Sequence, residues 1–313
     1  MLTMIIVYFS IKTAIICSVL FEDNVMNTKV QVATALKASF PVRRMDFEFA
    51  DVPHYWLGSD AGMTHFMTSM SVLFPDGERF FVDSVRALRN HPALKDDAAM
   101  QKEISAFIGQ EAMHSKEHAA FNASAKAYGH DTDQLERMTG RVIGLKRLLG
   151  RRNQQLVDMA GTCALEHFTA TIASQLMRRE DIQAFFESPV MYKLWMWHAV
   201  EESEHKAVAY DVYQRVYGSG LKAYTARAGM MVSATALLFI TQNLFMARLM
   251  LDDGKIVPRH WLRTMKTLYH PTQGFITQIL PELADYFRPN FHPNDHDSVA
   301  LLADWKQRLA FTD

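Results

Sequence analysis

The pattern Glu-x-x-His occurs twice in this chain, as Glu111-Ala112-Met113-His114 and as Glu202-Ser203-Glu204-His205. Successive residues of an α-helix lie about 100° apart around its axis, so the glutamate and histidine of each pattern lie within about 60° of one another. His198 falls on the same helix face as Glu202 and His205. The buried face of a helix normally carries aliphatic side chains. The spacing therefore predicts two helices that present metal-ligand side chains to a shared interior.

Two further glutamates complete a pseudo-symmetric set. Glu78 precedes Glu111 by 33 residues and Glu166 precedes Glu202 by 36, so each pair fits two neighbouring helices joined by a turn. The 55 residues from Glu111 to Glu166 leave room for a long connection. One glutamate from each of two helices and Glu-x-x-His from each of two others is the ligand arrangement of ferritin-like di-metal proteins. The predicted fold is all-α: a ferritin-like four-helix bundle with a long crossover and additional C-terminal helices.

Local signals place the helices along the chain. Phe74-Pro75-Asp76-Gly77 predicts the end of one helix and the start of the next, because proline lacks an amide hydrogen and Asp-Gly favours a turn. Gly129 and Gly150 predict the ends of later helices. The predicted helices cover residues 60–74, 77–90, 97–128, 131–149, 153–178 and 190–217, with two or three shorter helices after Pro258.

The residue types indicate which metals bind. Carboxylates and imidazoles suit iron and manganese, and no thiolate lies near the set to favour zinc or copper(I). The predicted cofactor is a pair of metal ions, with iron favoured and manganese as the alternative. Three other histidines are less determined. His198 and His118 are each either a ligand or a hydrogen-bond partner of one, and His167 points outward or lies behind a ligand. The predicted metal ligands are Glu78, Glu111, His114, Glu166, Glu202 and His205, with His198 as an open seventh.

Four sequence motifs surround the predicted ligands. The motifs are Leu73-Phe74-Pro75-Asp76-Gly77-Glu78-Arg79-Phe80-Phe81, Gln110-Glu111-Ala112-Met113-His114, Glu166-His167 and Trp197-His198-Ala199-Val200-Glu201-Glu202-Ser203-Glu204-His205-Lys206. With these motifs, the chain resembles from about Val42 to Phe311 the bacterial proteins called predicted metal-dependent hydrolases. The spacing His-x-x-x-Glu-x-x-His also resembles the di-iron arylamine N-oxygenases, which implies that His198 is a third histidine ligand. Many di-iron bundles place an acidic residue before the ligand glutamate to hold a histidine of another helix, a role that the resemblance assigns to Glu201.

Composition and length bound the domain organisation. The 313 residues carry a net charge of −1, which gives no basic field for binding nucleic acid. The two cysteines fit a reducing cytoplasm. Residues 42–313 are predicted to form a single helical domain. Residues 1–41 are interpreted as an extension, either a signal or membrane anchor, or a stretch upstream of a true start at Met26 or Met45.

One apolar segment fits either a membrane or the protein interior. Arg227 and Arg248 flank twenty uncharged residues, 228–247, which is long enough to span a bilayer. Gln242 and Asn243 favour a buried helix or a subunit interface instead. The predicted location is the cytoplasm, with membrane contact through 228–247 as an alternative. Formation of a homodimer is a further hypothesis.

The ligand set favours an O2-activating oxidase or oxygenase that acts on a small organic substrate, apolar or lipid-like. A two-metal hydrolase, as the family resemblance implies, is the alternative, and a non-catalytic metal-binding protein is the third hypothesis. Candidate residues for an apolar pocket, or simply for the core, are Phe80, Phe107, Phe168 and Trp197. No catalytic residue beyond the metal ligands is indicated.

Overall fold

In the computed structural model, which describes residues 40–149, 153–255 and 257–311, the chain folds almost entirely into helices. The predicted all-α class is confirmed, since the one pairing of extended backbone among these residues is an isolated bridge between Leu57 and Phe186. The predicted extension, residues 1–41, lies outside the described part of the chain apart from its last two residues. The α-helices are α1 (Ala61–Leu88), α2 (Ala98–Ala125), α3 (Thr132–Leu149), α4 (Gln154–Arg178), α5 (Glu180–Gln183), α6 (Pro189–His205), α7 (Val208–Tyr217), α8 (Leu221–Asp252), α9 (Pro258–Tyr269), α10 (Leu280–Asp285) and α11 (Val299–Arg308).

Four of the longer helices carry the predicted ligands. Helix α1 packs extensively on α2, and α4 packs on α6, so the two helix pairs expected from the spacing are present. The connection from α2 to α4 contains α3, which packs against α1. Helix α8 lies along α4 and α1. The amino ends of α1 and α2 are capped by Asp60 and Asp97, whose carboxylates accept the amide hydrogens of Met63 and Met100.

The predicted break at Phe74-Pro75-Asp76-Gly77 is wrong, because α1 continues through Pro75 without interruption. A proline inside a helix leaves the carbonyl group four residues earlier without its amide donor. Here that carbonyl belongs to Ser71, and the side-chain amide of Asn122 on α2 donates to it at 3.1 Å. The carbonyl of Pro75 accepts in turn from the Ser115 hydroxyl at 3.1 Å. Hydrogen bonds from the neighbouring helix thus offset the disruption that the local sequence predicts.

The predicted helix over residues 190–217 is also wrong as a single element, because it is divided into α6 and α7. Helix α6 ends at His205, which is the last predicted ligand. The side chain of Lys206 is buried and turns towards the C-terminal region, where its ammonium group donates to Ser298 Oγ at 3.0 Å and to the carbonyl of His296. A buried lysine needs such acceptors. The sequence around Lys206 does not predict the helix end because these acceptors lie far away along the chain.

Helix α8 contains the uncharged segment 228–247. By length and composition it could cross a membrane, and 33% of its most apolar window is buried. Gln242 is buried, as expected for a core contact, and its amide donates to the Phe66 carbonyl at 2.7 Å and to Ser69 Oγ at 2.8 Å. Phe239 and Leu244 remain exposed. Membrane contact and homodimer formation through this helix both stay predictions.

The contact between Asn122 and the Ser71 carbonyl generates a test. We expect Asn122→Ala to lower the free energy of unfolding by about 1–3 kcal/mol, since a buried carbonyl loses its donor. In a Pro75→Ala background the restored amide hydrogen can bond to Ser71, so the same change should cost less. Urea unfolding followed by circular dichroism measures both costs. Equal costs in the two backgrounds would show that Asn122 does not compensate for Pro75.

Candidate metal centre

The glutamate–histidine cluster, as we call the six predicted ligands, lies where four helices face one another. The structure brings all six side chains together, and each is at most 2% exposed. Several of their ligand atoms lie within 4.8 Å of one another in groups suited to a metal ion. The members are Glu78 on α1, Glu111 and His114 on α2, Glu166 on α4, and Glu202 and His205 on α6.

Short distances between the helices define the centre of the cluster. His205 Nε2 lies 3.1 Å from Glu111 Oε1, 3.5 Å from Glu166 Oε2 and 3.6 Å from Glu202 Oε1. His114 Nδ1 lies 3.6 Å from Glu202 Oε1. One imidazole nitrogen therefore faces carboxylates from three helices, and Glu202 faces both histidines.

Most ligand atoms of the cluster lack any hydrogen-bond partner. Both carboxylate oxygens of Glu78, Glu111 and Glu166 are buried without one. The same holds for Glu202 Oε2 and for the nitrogens of His114 and His205 that face the carboxylates. A buried, unpaired carboxylate is strongly unfavourable, and metal coordination is one of the few ways to compensate it. The donor set therefore fits bound cations.

Electrostatics within the cluster lead to the same conclusion. Burial, followed by repulsion from the other carboxylates, raises the pKa values of Glu78 and Glu166 well above their ordinary range. Burial also raises the pKa of Glu111. Burial acts on Glu202 in the same direction, but His205 and His198 outweigh it and hold the pKa of Glu202 well below its usual value. Four ionised carboxylates cannot remain this close without positive charge among them.

Each ligand histidine is oriented by the residue that precedes the ligand glutamate of the other helix. His114 Nε2 donates to Glu201 Oε2 at 3.0 Å, and His205 Nδ1 donates to Gln110 Oε1 at 2.9 Å. These bonds place one proton on the outer nitrogen of each ring, so His114 Nδ1 and His205 Nε2 are the atoms that face the carboxylates. The structure places Glu201 next to a histidine of another helix, as the resemblance implies. Gln110 makes the corresponding contact with His205 through its side-chain amide.

An ion-pair network holds these orienting residues. The Gln110 amide donates to Glu204 Oε2 at 2.8 Å and to the Pro41 carbonyl at 2.9 Å, which fixes its oxygen towards His205. Arg43 donates to Glu204 at 2.8 and 2.9 Å and to Glu201 at 3.0 Å. Burial raises the pKa of Glu201 to about 7, against the opposing effect of Arg43. The sequence reasoning missed Arg43 and Glu204, which lie far apart in the chain.

The orientation of His198 follows from a chain of hydrogen bonds. The Asn122 amide donates to the Ser71 carbonyl and to Glu136 Oε1, so its oxygen accepts from the Ser71 hydroxyl at 2.7 Å. Ser71 Oγ therefore accepts from His118 Nδ1 at 2.8 Å, and His118 Nε2 accepts from His198 Nδ1 at 2.7 Å. His198 Nε2 is thereby directed at Glu202 Oε1, which it contacts at 3.1 Å. The structure thus places His118 behind His198.

His167 takes the outward alternative of its two predicted positions. Its Nε2 donates to the Glu282 carbonyl at 3.0 Å, and its ring stacks on Tyr286 with 5.2 Å between ring centroids. These contacts fasten α4 to the C-terminal region. The interpretation of His167 as a partner of a cluster ligand is therefore corrected.

An apolar cavity of about 100 Å³ adjoins the cluster. Glu78, His198 and Glu202 form its polar end, and Leu238 of α8 contributes to the apolar wall. Of the four predicted pocket aromatics, only Phe168 lines this cavity, whereas Phe80, Phe107 and Trp197 pack in the core. Phe107 and Trp197 contact the ligand histidines instead, with 5.0 Å from Phe107 to His205 and 4.9 Å from Trp197 to His114 between ring centroids.

Comparison with protein families gives one finding. A family model described as "Predicted metal-dependent hydrolase" matches residues 41–297, which include the whole cluster. Searches of curated proteins and of solved structures give no match. The family resemblance found in the motifs is thereby confirmed, whereas nothing in these comparisons supports the resemblance to arylamine N-oxygenases.

The reciprocal orientation of the histidines generates a second test. We expect Glu201→Ala to weaken metal binding about 10–100-fold, because His114 loses the acceptor that fixes its tautomer. Glu201→Gln keeps an oxygen for His114, as Gln110 does for His205, and should lose less. Competition against a chromophoric chelator measures the affinities, with circular dichroism to verify folding. Unchanged affinity in folded Glu201→Ala would contradict the orienting role.

Proposed function

The chain belongs to the predicted metal-dependent hydrolase family, and we propose that it hydrolyses a small apolar ester at a two-metal centre formed by the glutamate–histidine cluster. The observation that carries the proposal is the cavity, whose apolar walls end on Glu78, His198 and Glu202. A substrate group held there would bring its reactive bond to the cluster. A metal-storage role would not require such a cavity.

Charge balance supports two divalent cations. When ionised, Glu78, Glu111, Glu166 and Glu202 carry four negative charges, which two such ions neutralise. Seven carboxylate oxygens and two imidazole nitrogens of the cluster have no hydrogen-bond partner and are available as donors. Each metal ion would then have carboxylates from more than one helix, which suits iron, manganese or zinc.

His198 is proposed as the seventh ligand. Its Nε2 contacts Glu202 Oε1 at 3.1 Å. A carboxylate oxygen can only accept, so a proton or a cation must lie between these two atoms, and a metal ion would take that position. The hydrogen bond between His198 Nδ1 and His118 Nε2 keeps His198 Nε2 directed at the carboxylate.

Residues of the chain would position the reactants. When bound, two metal ions supply a water of lowered pKa and polarise the substrate carbonyl. The cavity holds the apolar group between Phe74 and Phe168, and the reactive carbonyl faces Glu78 and Glu202. Hydrolysis adds the water oxygen to the acyl carbon, breaks the acyl carbon–oxygen bond and returns a proton to the departing alcohol. A cavity of about 100 Å³ suits a short alkyl chain, since it is smaller than the cavity of roughly 150 Å³ that holds benzene.

Oxygen activation is the second candidate, favoured by the donor set. Four carboxylates with two histidines on four helices are the ligands of di-iron and di-manganese bundles. Reduced iron in such a site would supply O2 activation. The same cavity would hold the substrate and keep water away from the reacting atoms.

The two candidates are separated by the need for O2. We expect the protein loaded with Zn²⁺ or Mn²⁺ to cleave short-chain nitrophenyl esters at equal rates with and without O2. Glu202→Gln should abolish cleavage and reduce the metal content, because it removes a charged ligand that faces both histidines. The exposed control Glu48→Gln should retain wild-type activity. Turnover that requires ferrous iron, a reductant and stoichiometric O2 uptake would contradict hydrolysis and favour oxidation.

The cavity gives a separate test of substrate binding. Ala173 lines the cavity and is buried, so Ala173→Leu should fill part of it. We expect KM for the longest accepted acyl group to rise several-fold, while short-chain esters and the metal content change little. Kinetics over a series of acyl chain lengths measures this. An unchanged chain-length profile would place the substrate elsewhere.

A further inference from the structure

A second group of metal-ligand side chains lies away from the glutamate–histidine cluster. His54, His65 and His130 each present a ring nitrogen to the others within 4.8 Å. The carboxylate of Asp253 faces His54 and His65, and we call the four residues the histidine–aspartate cluster. His65 precedes Glu78 by 13 residues on the same helix, which separates the two clusters by about 20 Å along α1.

The four residues come from four different parts of the fold. His54 precedes α1, His65 lies within α1, His130 follows the turn after α2, and Asp253 caps the carboxyl end of α8. His65 and His130 are buried, whereas the side chain of His54 is 29% exposed. The cluster is thus closed on the inside and open to solvent at His54, which offers a path for an ion.

Three distances between the candidate ligand atoms are close to those of a tetrahedral metal shell. His54 Nε2 lies 3.4 Å from His130 Nε2 and 3.5 Å from Asp253 Oδ1, and His65 Nε2 lies 3.1 Å from Asp253 Oδ2. A tetrahedral zinc ion with bonds of about 2.0–2.1 Å separates its ligand atoms by about 3.3 Å. One carboxylate oxygen of Asp253 therefore faces His54 and the other faces His65, each near this spacing.

Neighbouring aromatic residues hold the cluster in place. The ring of His54 lies between Tyr55 and Tyr128, with 4.3 and 4.6 Å between ring centroids. The Tyr55 hydroxyl donates to Asp253 Oδ2 at 2.6 Å, which orients the carboxylate as partners of metal ligands commonly do.

From this geometry we propose that His54, His65, His130 and Asp253 bind one zinc ion as a structural site. Three imidazoles and one carboxylate complete a four-coordinate shell, which is typical of structural zinc. The ion would join the segment before α1, the α2–α3 connection and the end of α8. It would thereby fix the position of the apolar helix whose Leu238 lines the cavity.

Counting zinc tests the site. Full-length protein is stripped of metal, dialysed with excess Zn²⁺, freed of unbound ions and analysed by mass spectrometry. We expect His54→Ala to bind one zinc ion fewer per chain than the wild type, because His54 is a ligand. The control His260→Ala removes an exposed histidine and should bind as much as the wild type. This difference does not depend on how many ions the glutamate–histidine cluster holds. Failure of the zinc-site proposal can therefore be distinguished from failure of the proposed function.

Cobalt provides a second readout that does not depend on the count. The wild type loaded with Co²⁺ should show the visible absorption of tetrahedral coordination. The absorption band that His54→Ala loses should also be lost in His130→Gln. Circular dichroism verifies that both variants are folded. Equal zinc content and equal cobalt spectra in the wild type and folded His54→Ala would overturn the proposal and leave a hydrogen-bonded cluster without a metal.

Discussion

The burial of four carboxylates among four helices is the constraint on which the rest of this structure depends. An unpaired carboxylate in a protein interior is strongly unfavourable, so the helices can pack here only with compensating positive charge. Side chains around the cluster hold its histidines in position. Glu201 and Gln110 fix the ligand histidines, and Arg43 with Glu204 holds both orienting residues. The geometry of the predicted ligands is therefore prepared by residues that are not ligands themselves.

The cavity joins this charged interior to an apolar wall. Its lining is mostly hydrophobic and also includes Glu78, His198 and Glu202. In the proposed function, the apolar lining would bind the substrate and the cluster would carry out the reaction. Hydrolysis and oxygen activation make the same demands on this geometry, which is why the family description and the donor set can point to different reactions.

The ligand set could be found from the sequence because helical periodicity ties residue spacing to a common face. Glu-x-x-His and the lone glutamates needed no knowledge of the fold. The continuity of α1 through Pro75 could not be found in this way, since the compensating donor, Asn122, belongs to another helix. The contacts of Arg43 join residues more than 150 positions apart. His54, His65 and His130 share no helical spacing, so only the fold brings them together.

The central claim is that the glutamate–histidine cluster holds two metal ions, and anomalous X-ray scattering from a crystal of the metal-loaded protein tests it most directly. The account predicts two anomalous peaks about 3.5–4 Å apart among Glu78, Glu111, Glu166, Glu202, His114 and His205. Data collected on both sides of each absorption edge would identify the metals. A well-ordered cluster without anomalous density, in which the carboxylates are hydrogen-bonded to one another, would contradict the account.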